Sequence, residues 1–335
     1  MFLVEKPILS SPFKSTSKKS HLIKTYQLAA ISFDQKISNH LKTLSPLTSS
    51  SSGLSLTDLS NLISFLTSLH TECESQISKT GSDDDQMLGF YMEYSLKVLD
   101  LCNLMTSSVQ KMTEKRMSIN FAVKLLMMNS NCNGQVVQVE KMNKAKDVIS
   151  RAVNGLTESS PEKAKDSPEK GESAKKLIDE LTVMIGKLPE VKTVKNGRDL
   201  VARAFHALGV LTVVIGNVLV SVLFGDSEDS EPVKFRFPAE FMWCDSVNEL
   251  QKVIFDQMKV NGNKVLEVDD VAKQAVIVRD LIDDAEGRVK LVEGVKDMEI
   301  KVKRFSDGVD ALNNGVNGLF RTVLKTRNGR LDAKF

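Results

Sequence analysis

Between Ala204 and Gly225 this chain of 335 residues runs for 22 positions without an Asp, Glu, Lys or Arg. The segment reads AFHALGVLTVVIGNVLVSVLFG. As a helix it would rise about 33 Å, close to the ~30 Å of hydrocarbon in a bilayer. Such a segment either crosses a membrane or forms the central helix of a bundle that covers it on all sides. A re-entrant or surface-lying helix is the third arrangement. The flanks favour a span: Lys192, Lys195, Arg198 and Arg203 precede it, and Asp226, Glu228, Asp229 and Glu231 follow. The positive-inside tendency would then leave the preceding part in the cytosol. The interior favours a core. His206 and Asn217 are polar, and Gly209 and Gly216 lower helix propensity. Translocation would also strand residues 226–335 from the first half, although that part has its own apolar face to bury. Ala204, Leu211, Ile215, Leu219 and Phe224 therefore mark a helix that is transmembrane or core.

The rest of the chain also reads as helical. Eight Pro, 18 Gly and 6% aromatics disfavour a sandwich or barrel, which needs frequent turns and aromatic or β-branched strands. Apolar residues recur at steps of three and four instead. Leu22 to Leu44 predicts a helix burying Ile23, Leu28, Ile31, Phe33 and Ile37. Ser55 and Asp58 form a capping signal for a stripe of Leu59, Leu62, Ile63, Leu66, Leu69, Cys73 and Ile77. After the helix-starting acids Asp83-Asp84-Asp85, Met87, Phe90, Tyr94, Val98, Leu101, Met105, Val109 and Met112 define a long helix continuing towards Met128. Asn129 to Gly134 breaks it. Further helices are expected over 136–156, 174–187 and 245–260, the last anchored by Trp243. From Val271 to Val292, and again from Met298 to Val323, the stripe steps alternate four and three, the repeat of helices packed at a shallow angle. The phase slips next to Gly294: either one long helix slips phase there, or the chain turns back as a helical hairpin, the favoured reading because it buries both stripes within one chain.

The expected fold class is all-α: an elongated bundle of long antiparallel helices with disordered linkers. Residues 1–20 form a flexible tail and 21–156 an N-terminal helical region. Residues 157–173 form a charged Ser-Pro linker. Residues 174–335 form a C-terminal helical region that joins 21–156 in one bundle if 204–225 does not cross a membrane. The serine run Ser49–Ser52 is a second linker, because serine side chains compete for backbone hydrogen bonds and bring no apolar area. Ser160 and Ser167, each followed by proline, could accept phosphate from proline-directed kinases.

Chemistry is scarce. Lys and Arg number 45 against 43 acids, without the basic excess of a nucleic-acid binder. Phosphate-binding, dinucleotide and hydrolase motifs are absent. The four histidines lack metal-ligand spacing, and Asp83–Asp85 lacks the alternation of a calcium loop. His70 falls beside an apolar face, as a structural histidine does. Cys73, Cys102, Cys132 and Cys244 are too far apart for a C-x-x-C motif and read as buried thiols in a reducing compartment. No catalytic residue, cofactor or metal is expected. The expected compartment is the cytoplasm or a membrane surface. The first 33 residues carry one acid and several Ser, Thr and Lys, but no Arg, so chloroplast import is the lesser expectation.

The stretch Ser95-Leu96-Lys97-Val98-Leu99-Asp100-Leu101-Cys102-Asn103 resembles the Ser-x-Lys-Leu-Leu-Asp-x-Cys-Asn element of the plant BYPASS family. Pro12-Phe13-Lys14, Leu69-His70, Val194-Lys195-Asn196 with Arg203-Ala204, Phe241-Met242-Trp243 and Phe305 to Arg330 resemble further elements. The Ser-Pro insertion at 159–171 and the strongly apolar 210–224 depart from the family pattern. The resemblance implies a non-enzymatic plant developmental regulator or scaffold, one that restrains production of a root-derived mobile signal. It carries over no catalytic residue. Ser95, Lys97, Asp100, Cys102 and Asn103 are its site candidates. Asp100 and Asn103, three apart on one helical face, are expected to hydrogen-bond a neighbouring helix, with partner binding as the alternative. The expected partners are proteins, with homo-oligomerisation through the C-terminal helices as one form. The rival readings are a single-pass tether or trafficking adaptor, and an enzyme of unknown chemistry.

Overall fold

The computed structural model describes residues 13–44, 53–80, 85–129, 135–157, 166–189, 191, 193–224, 241–261, 263–283 and 288–332. Among them there are nine helices and no strand. They are α1 (Phe13–Thr43), α2 (Leu56–Thr80), α3 (Asp85–Asn129), α4 (Gln135–Thr157), α5 (Asp166–Ile185), α6 (Gly197–Phe224), α7 (Cys244–Asn261), α8 (Leu266–Asp283) and α9 (Arg288–Asp332). The chain is all-α. The Ser49–Ser52 run, Asp83, Asp84, Cys132, Ser160, Gly225 and the acidic flank from Asp226 lie outside the described residues.

Two helices set the length. α3 and α9 have 45 residues each and span roughly 68 Å. They lie antiparallel: Arg327 reaches the Met92 carbonyl near the start of α3, and Arg116 reaches Ser306 and Asp310 further along it. The other two rods of the bundle are composite. α2 and α8 both pack on α9, and α6 and α4 pack on α3. α2 and α8 meet at their N-termini, where Leu266 N–H donates to the Leu54 carbonyl (3.0 Å) and Leu56 N–H donates to the Glu267 carboxylate (2.9 Å). The result is one long four-rod bundle with a waist. The distal half is α4, α8, the second half of α3 and the first half of α9. The proximal half holds α2, α6 and the remaining halves of α3 and α9. It also carries α5 against α6 and α3, α1 against α6 and α2, and α7 against α1.

Local chemistry explains where the helices start. At α2, Ser55 Oγ accepts from Asp58 N–H (3.1 Å) and the Asp58 carboxylate accepts from Ser55 N–H (2.9 Å), the reciprocal cap read from the sequence. At α6, Asn196 Oδ1 accepts from Asp199 N–H and Asp199 accepts from Lys195 N–H, both at 2.8 Å. All seven stripe residues of α2 are buried, and so are Met87, Tyr94, Val98, Leu101, Met105 and Val109 of α3.

α6 is the one described helix long and apolar enough to cross a membrane by length and composition. In the fold, 72% of its most apolar window is buried inside the protein, against α1, α2, α3 and α5. Ala204, Leu211, Ile215 and Leu219 are buried and Phe224 is half-buried. The two glycines mark where α5 crosses closely. A Cβ on Gly209 would stand 2.6 Å from Ile185 Cγ1, and one on Gly216 would stand 2.7 Å from Ile178 Cδ1. They let helices approach rather than break one.

Three expectations differ. α1 begins at Phe13, directly after Pro12, where proline suits a helix start. Its buried face is Ala30, Phe33, Asp34, Ile37, Leu41 and Leu44, while Leu28 and Ile31 are exposed. An acid inside the buried face hid its phase. The expected linker 157–173 is helical from Asp166 onward. Lys170 bonds Ser107 of α3 (2.8 Å) and Gly171 lies against Phe224 of α6, so tertiary contacts extend α5 into a charged sequence. α8 ends at Asp283 and α9 begins at Arg288, so the expected break beside Gly294 lies inside α9. Gly294 is a crossing point: its carbonyl accepts from Gln274 Nε2 (3.0 Å), and a Cβ there would stand 3.3 Å from Leu281 Cδ1. Val289 and Val292, which continue the α8 rhythm, sit exposed on α9.

Candidate functional site

Two buried polar contacts tie α6 into the proximal half. The first centres on Arg203, in the second turn of α6. Arginine is almost never fully buried without a partner. Arg203 donates to Asp34 Oδ2 of α1 at 2.5 Å, and both side chains are over 90% buried. It also donates to the Val191 carbonyl (3.3 Å) and lies over the Phe241 ring, 4.4 Å from its centroid. Phe241 stacks on His206 (5.6 Å) and packs beside Trp243 (4.8 Å). Trp243 lies close enough to Asp34 to favour its charged form. Burial pushes the Asp34 carboxyl above its ordinary value, against the opposing pull of Arg203 and Trp243. α1, α6 and the approach to α7 are thus pinned at one point. Sequence reading noted Arg203 and Phe241–Trp243 as separate elements and missed Asp34. The signal for Asp34 was its phase with Ala30, Ile37 and Leu41.

The second contact joins three helices. Tyr94 of α3 shares a hydrogen bond with Thr212 of α6 (2.7 Å) and meets His70 Nε2 of α2 at 3.3 Å. The His70 and Tyr94 rings stack at 5.7 Å. Burial lowers His70 to about 3 and raises Tyr94 well above its ordinary value, so His70 is neutral near pH 7. A base so enclosed has no route to a substrate proton; its chemistry is packing.

The BYPASS-like stretch of α3 divides between interior and surface. Ser95 is buried, donates to the Met92 carbonyl (3.1 Å) and accepts from Arg327 of α9 (2.9 Å). Lys97 pairs with Glu180 of α5 at 2.6 Å. Cys102 is buried, and burial raises its thiol to about 12, leaving it inert. Asp100 and Asn103 are exposed, as is Leu96 between α5 and α9. The expected bond from Asp100 and Asn103 to a neighbouring helix is therefore not made. The buried stripe Tyr94–Val98–Leu101–Met105 turns both residues outward, and Ser95 makes the interhelical bond instead.

The remaining candidates assemble no reaction centre. Ser167 lies in the first turn of α5. Cys73, Cys102 and Cys244 are buried free thiols. Among the described residues, no three of His, Cys, Asp and Glu gather as a metal site. The notable concavities are open and lie on the outside of α3. One, of about 460 Å³, lies between Arg116, Met117, Phe121 and Lys124 of α3 and Ser306 and Asp310 of α9. Another, of about 300 Å³, lies between Glu93 and Lys97 of α3 and Lys176, Glu180 and Met184 of α5.

The described helices form an all-α bundle with its strongly perturbed groups buried in packing, and that defines the class: a helical-bundle protein. Comparison with known proteins gives the family. The profile described as Protein ROH1-like matches residues 13–180, half of the chain, and the chain belongs to the ROH1-like family. It is 23% identical to Protein BPS1, chloroplastic, of Arabidopsis thaliana, over 96% of this chain and 88% of that protein. It is also 23% identical to UPF0496 protein 4 of Oryza sativa subsp. indica, over 75% of this chain but only 53% of that protein. No solved structure matches it significantly.

Proposed function

We propose that the protein is a non-enzymatic plant developmental regulator of the BYPASS type, working by presenting helical surfaces to partner proteins. One observation carries the reading. Within the BYPASS-like stretch, Ser95 and Cys102 hold α3 in the bundle, while Leu96, Asp100 and Asn103 face solvent on the same helix. Exposed polar residues in a shared element suit recognition rather than packing. The groups with strongly shifted pKa, namely His70, Cys73, Tyr91, Tyr94 and Cys102, line neither concavity, which disfavours catalysis. Likeness to Arabidopsis BPS1 over nearly the whole chain supports the finer proposal, that the protein restrains production of a root-derived mobile signal.

The test is complementation of a plant lacking the endogenous protein with the double variant Asp100→Arg, Asn103→Arg, after its thermal melt has matched wild type. Failure to restore growth, with shoot arrest passing from variant rootstocks to wild-type scions, is the expected result. Full rescue would remove this face from the proposal.

The same reading makes the protein soluble, with α6 as core. Alkaline carbonate should then leave it in the supernatant; retention in the pellet would favour the tether. The cytoplasm is the proposed compartment, supported by the free, buried thiols. Chloroplast import is the second reading, supported by the printed name of the Arabidopsis relative. A fluorescent fusion at the C-terminus separates the two.

A further inference from the structure

The tetrapeptide Ser-Pro-Glu-Lys occurs twice, at Ser160–Lys163 and again at Ser167–Lys170. Proline after serine, with a base three positions beyond it, is the pattern that a proline-directed kinase of the cyclin-dependent class reads in an extended substrate. The first copy lies outside the described residues. The second falls in the opening turns of α5, where proline suits a helix start. Two contacts dock these turns on the bundle. Lys170 Nζ donates to Ser107 Oγ of α3 (2.8 Å). Gly171 is buried against the end of α6, where a Cβ would stand 3.4 Å from Phe224 Cβ and from the Phe224 carbonyl oxygen. Beside them Ser108 Oγ donates to the Leu223 carbonyl (3.2 Å), so α3, α5 and α6 meet here. From Glu169 to Lys176 the one apolar side chain is Ala174. Unwinding this end of α5 therefore exposes little apolar area.

We infer that Ser167 is a phosphorylation site for a kinase of this class, gated by the Lys170–Ser107 bond, and that the phosphate releases the start of α5 from α3 and α6. The kinase needs residues 167–170 extended and Lys170 free. It therefore acts on the fraction of molecules in which these turns have opened. The Ser167 oxygen bonds the γ-phosphorus of ATP as the bond to the ADP oxygen breaks, and the hydroxyl proton passes to the kinase's base. The product carries about −1.5 to −2 charges at pH 7. Lys170, three positions on, is a neighbour on the helix and exchanges the neutral Ser107 hydroxyl for the phosphate. One turn away, at Gly171, α6 presents its last carbonyl and the negative end of its dipole, which repels the new charge. The docking contacts are lost, while the phosphate at its N-terminus keeps α5 helical. The inference is independent of the reading of α3 as a partner surface.

The test incubates the full chain with a purified cyclin-dependent kinase and ATP, and mass spectrometry follows phosphate at Ser160 and Ser167 separately. Ser160 carries the same tetrapeptide and reports the kinase's intrinsic activity. Thermal melts check that each variant folds. Ser107→Ala opens the gate and should raise the rate at Ser167 about threefold or more, the worth of one ordinary hydrogen bond, with Ser160 unchanged. Pro168→Ala should lower the rate at Ser167 at least about tenfold, again sparing Ser160. In a Ser160→Ala chain phosphorylated at Ser167, amide hydrogen exchange should quicken over residues 170–176 and in the last turn of α6, but not in α2. No phosphate at Ser167, or a rate there indifferent to Ser107→Ala, would overturn the inference. So would hydrogen exchange unmoved by the phosphate.

Discussion

The two halves of the bundle share α3 and α9 but solve burial differently. In the proximal half the other central rod, α6, is apolar nearly all round, and it is made tolerable by a jacket of α1, α2, α3 and α5. Two pairs of polar groups enter this interior, Asp34 with Arg203 and Tyr94 with Thr212. The distal half has four amphipathic rods and no jacket. Its ion pairs, Lys146–Asp283 and Arg116–Asp310, lie at the surface, and Met117, Phe121, Met128 and Ile300 stay exposed. An all-apolar helix demands covering and so gathers the bulk of the fold around itself. Amphipathic rods cover one another and leave their outer faces to solvent.

The sharpest way to break this comparison is Asp34→Ala. It leaves the Arg203 guanidinium buried without its carboxylate, and removing one partner of a buried pair costs about 3–5 kcal/mol. Urea unfolding should show a loss of that order; a loss below about 1 kcal/mol, the range of a surface pair, would mean that water reaches Arg203 and that the proximal interior is not closed. Next comes Gly209→Ala. Its Cβ would meet Ile185 Cγ1 at 2.6 Å, a methylene next to the branched Cβ, which clears only by a χ1 change in a stiff β-branched side chain or a shift of α5. Overpacking of this kind costs about 1–3 kcal/mol. Gly216→Ala meets only the flexible tip of Ile178, Cδ1, and should cost less. The reverse order would undo the account of how α5 crosses α6.

Much of this was legible beforehand, and the failures have a common cause. The stripes of α2 and α3 were readable because each buries one continuous apolar face, and the Ser55–Asp58 cap is purely local. α1 was misphased because Asp34 occupies a buried position, and only the distant Arg203 makes that affordable. The α8–α9 turn was misplaced because the rhythm from Val271 to Val292 runs on across it, although Val289 and Val292 are exposed. α5 extends into a charged sequence on the strength of its contacts with α3 and α6. Each error lies where contacts over more than fifty residues, or an uninterrupted local pattern, outweighed what neighbours in sequence could show. For the candidate site, the resemblance pointed to α3. The outward turn of Asp100 and Asn103 follows from helical phase against Tyr94 and Leu101, which the sequence contained and the expectation of an interhelical bond overrode.

All four histidines lie in proximal helices, so the halves should differ in their response to acid. His70 has an ordinary value of 6.5 and is lowered by burial to about 3. The unfolded chain therefore takes up a proton that the folded one refuses. The stability contributed by the neutral ring is complete above pH 6.5 and is lost as pH falls towards 3, by up to about 1.4 kcal/mol per pH unit. Urea midpoints between pH 7 and pH 5 should fall in wild type and flatten in His70→Gln. Parallel profiles would show that His70 is already protonated, or solvated, in the fold.

The smallest effect belongs to the distal surface. Lys146 of α4 and Asp283 of α8 pair at 2.6 Å, almost the same length as the Asp34–Arg203 contact, but both side chains are well exposed. Length alone would rank the two pairs as equals. Solvation separates them: water can replace either partner at the distal site, whereas nothing replaces a carboxylate beside a buried guanidinium. Lys146→Ala should cost no more than about 1 kcal/mol and become undetectable in high salt, while Asp34→Ala should change little with ionic strength. If Lys146→Ala instead proves as costly as Asp34→Ala and as indifferent to salt, the α4–α8 seam is tighter than its exposure implies. The distal half would then share the burden of stability.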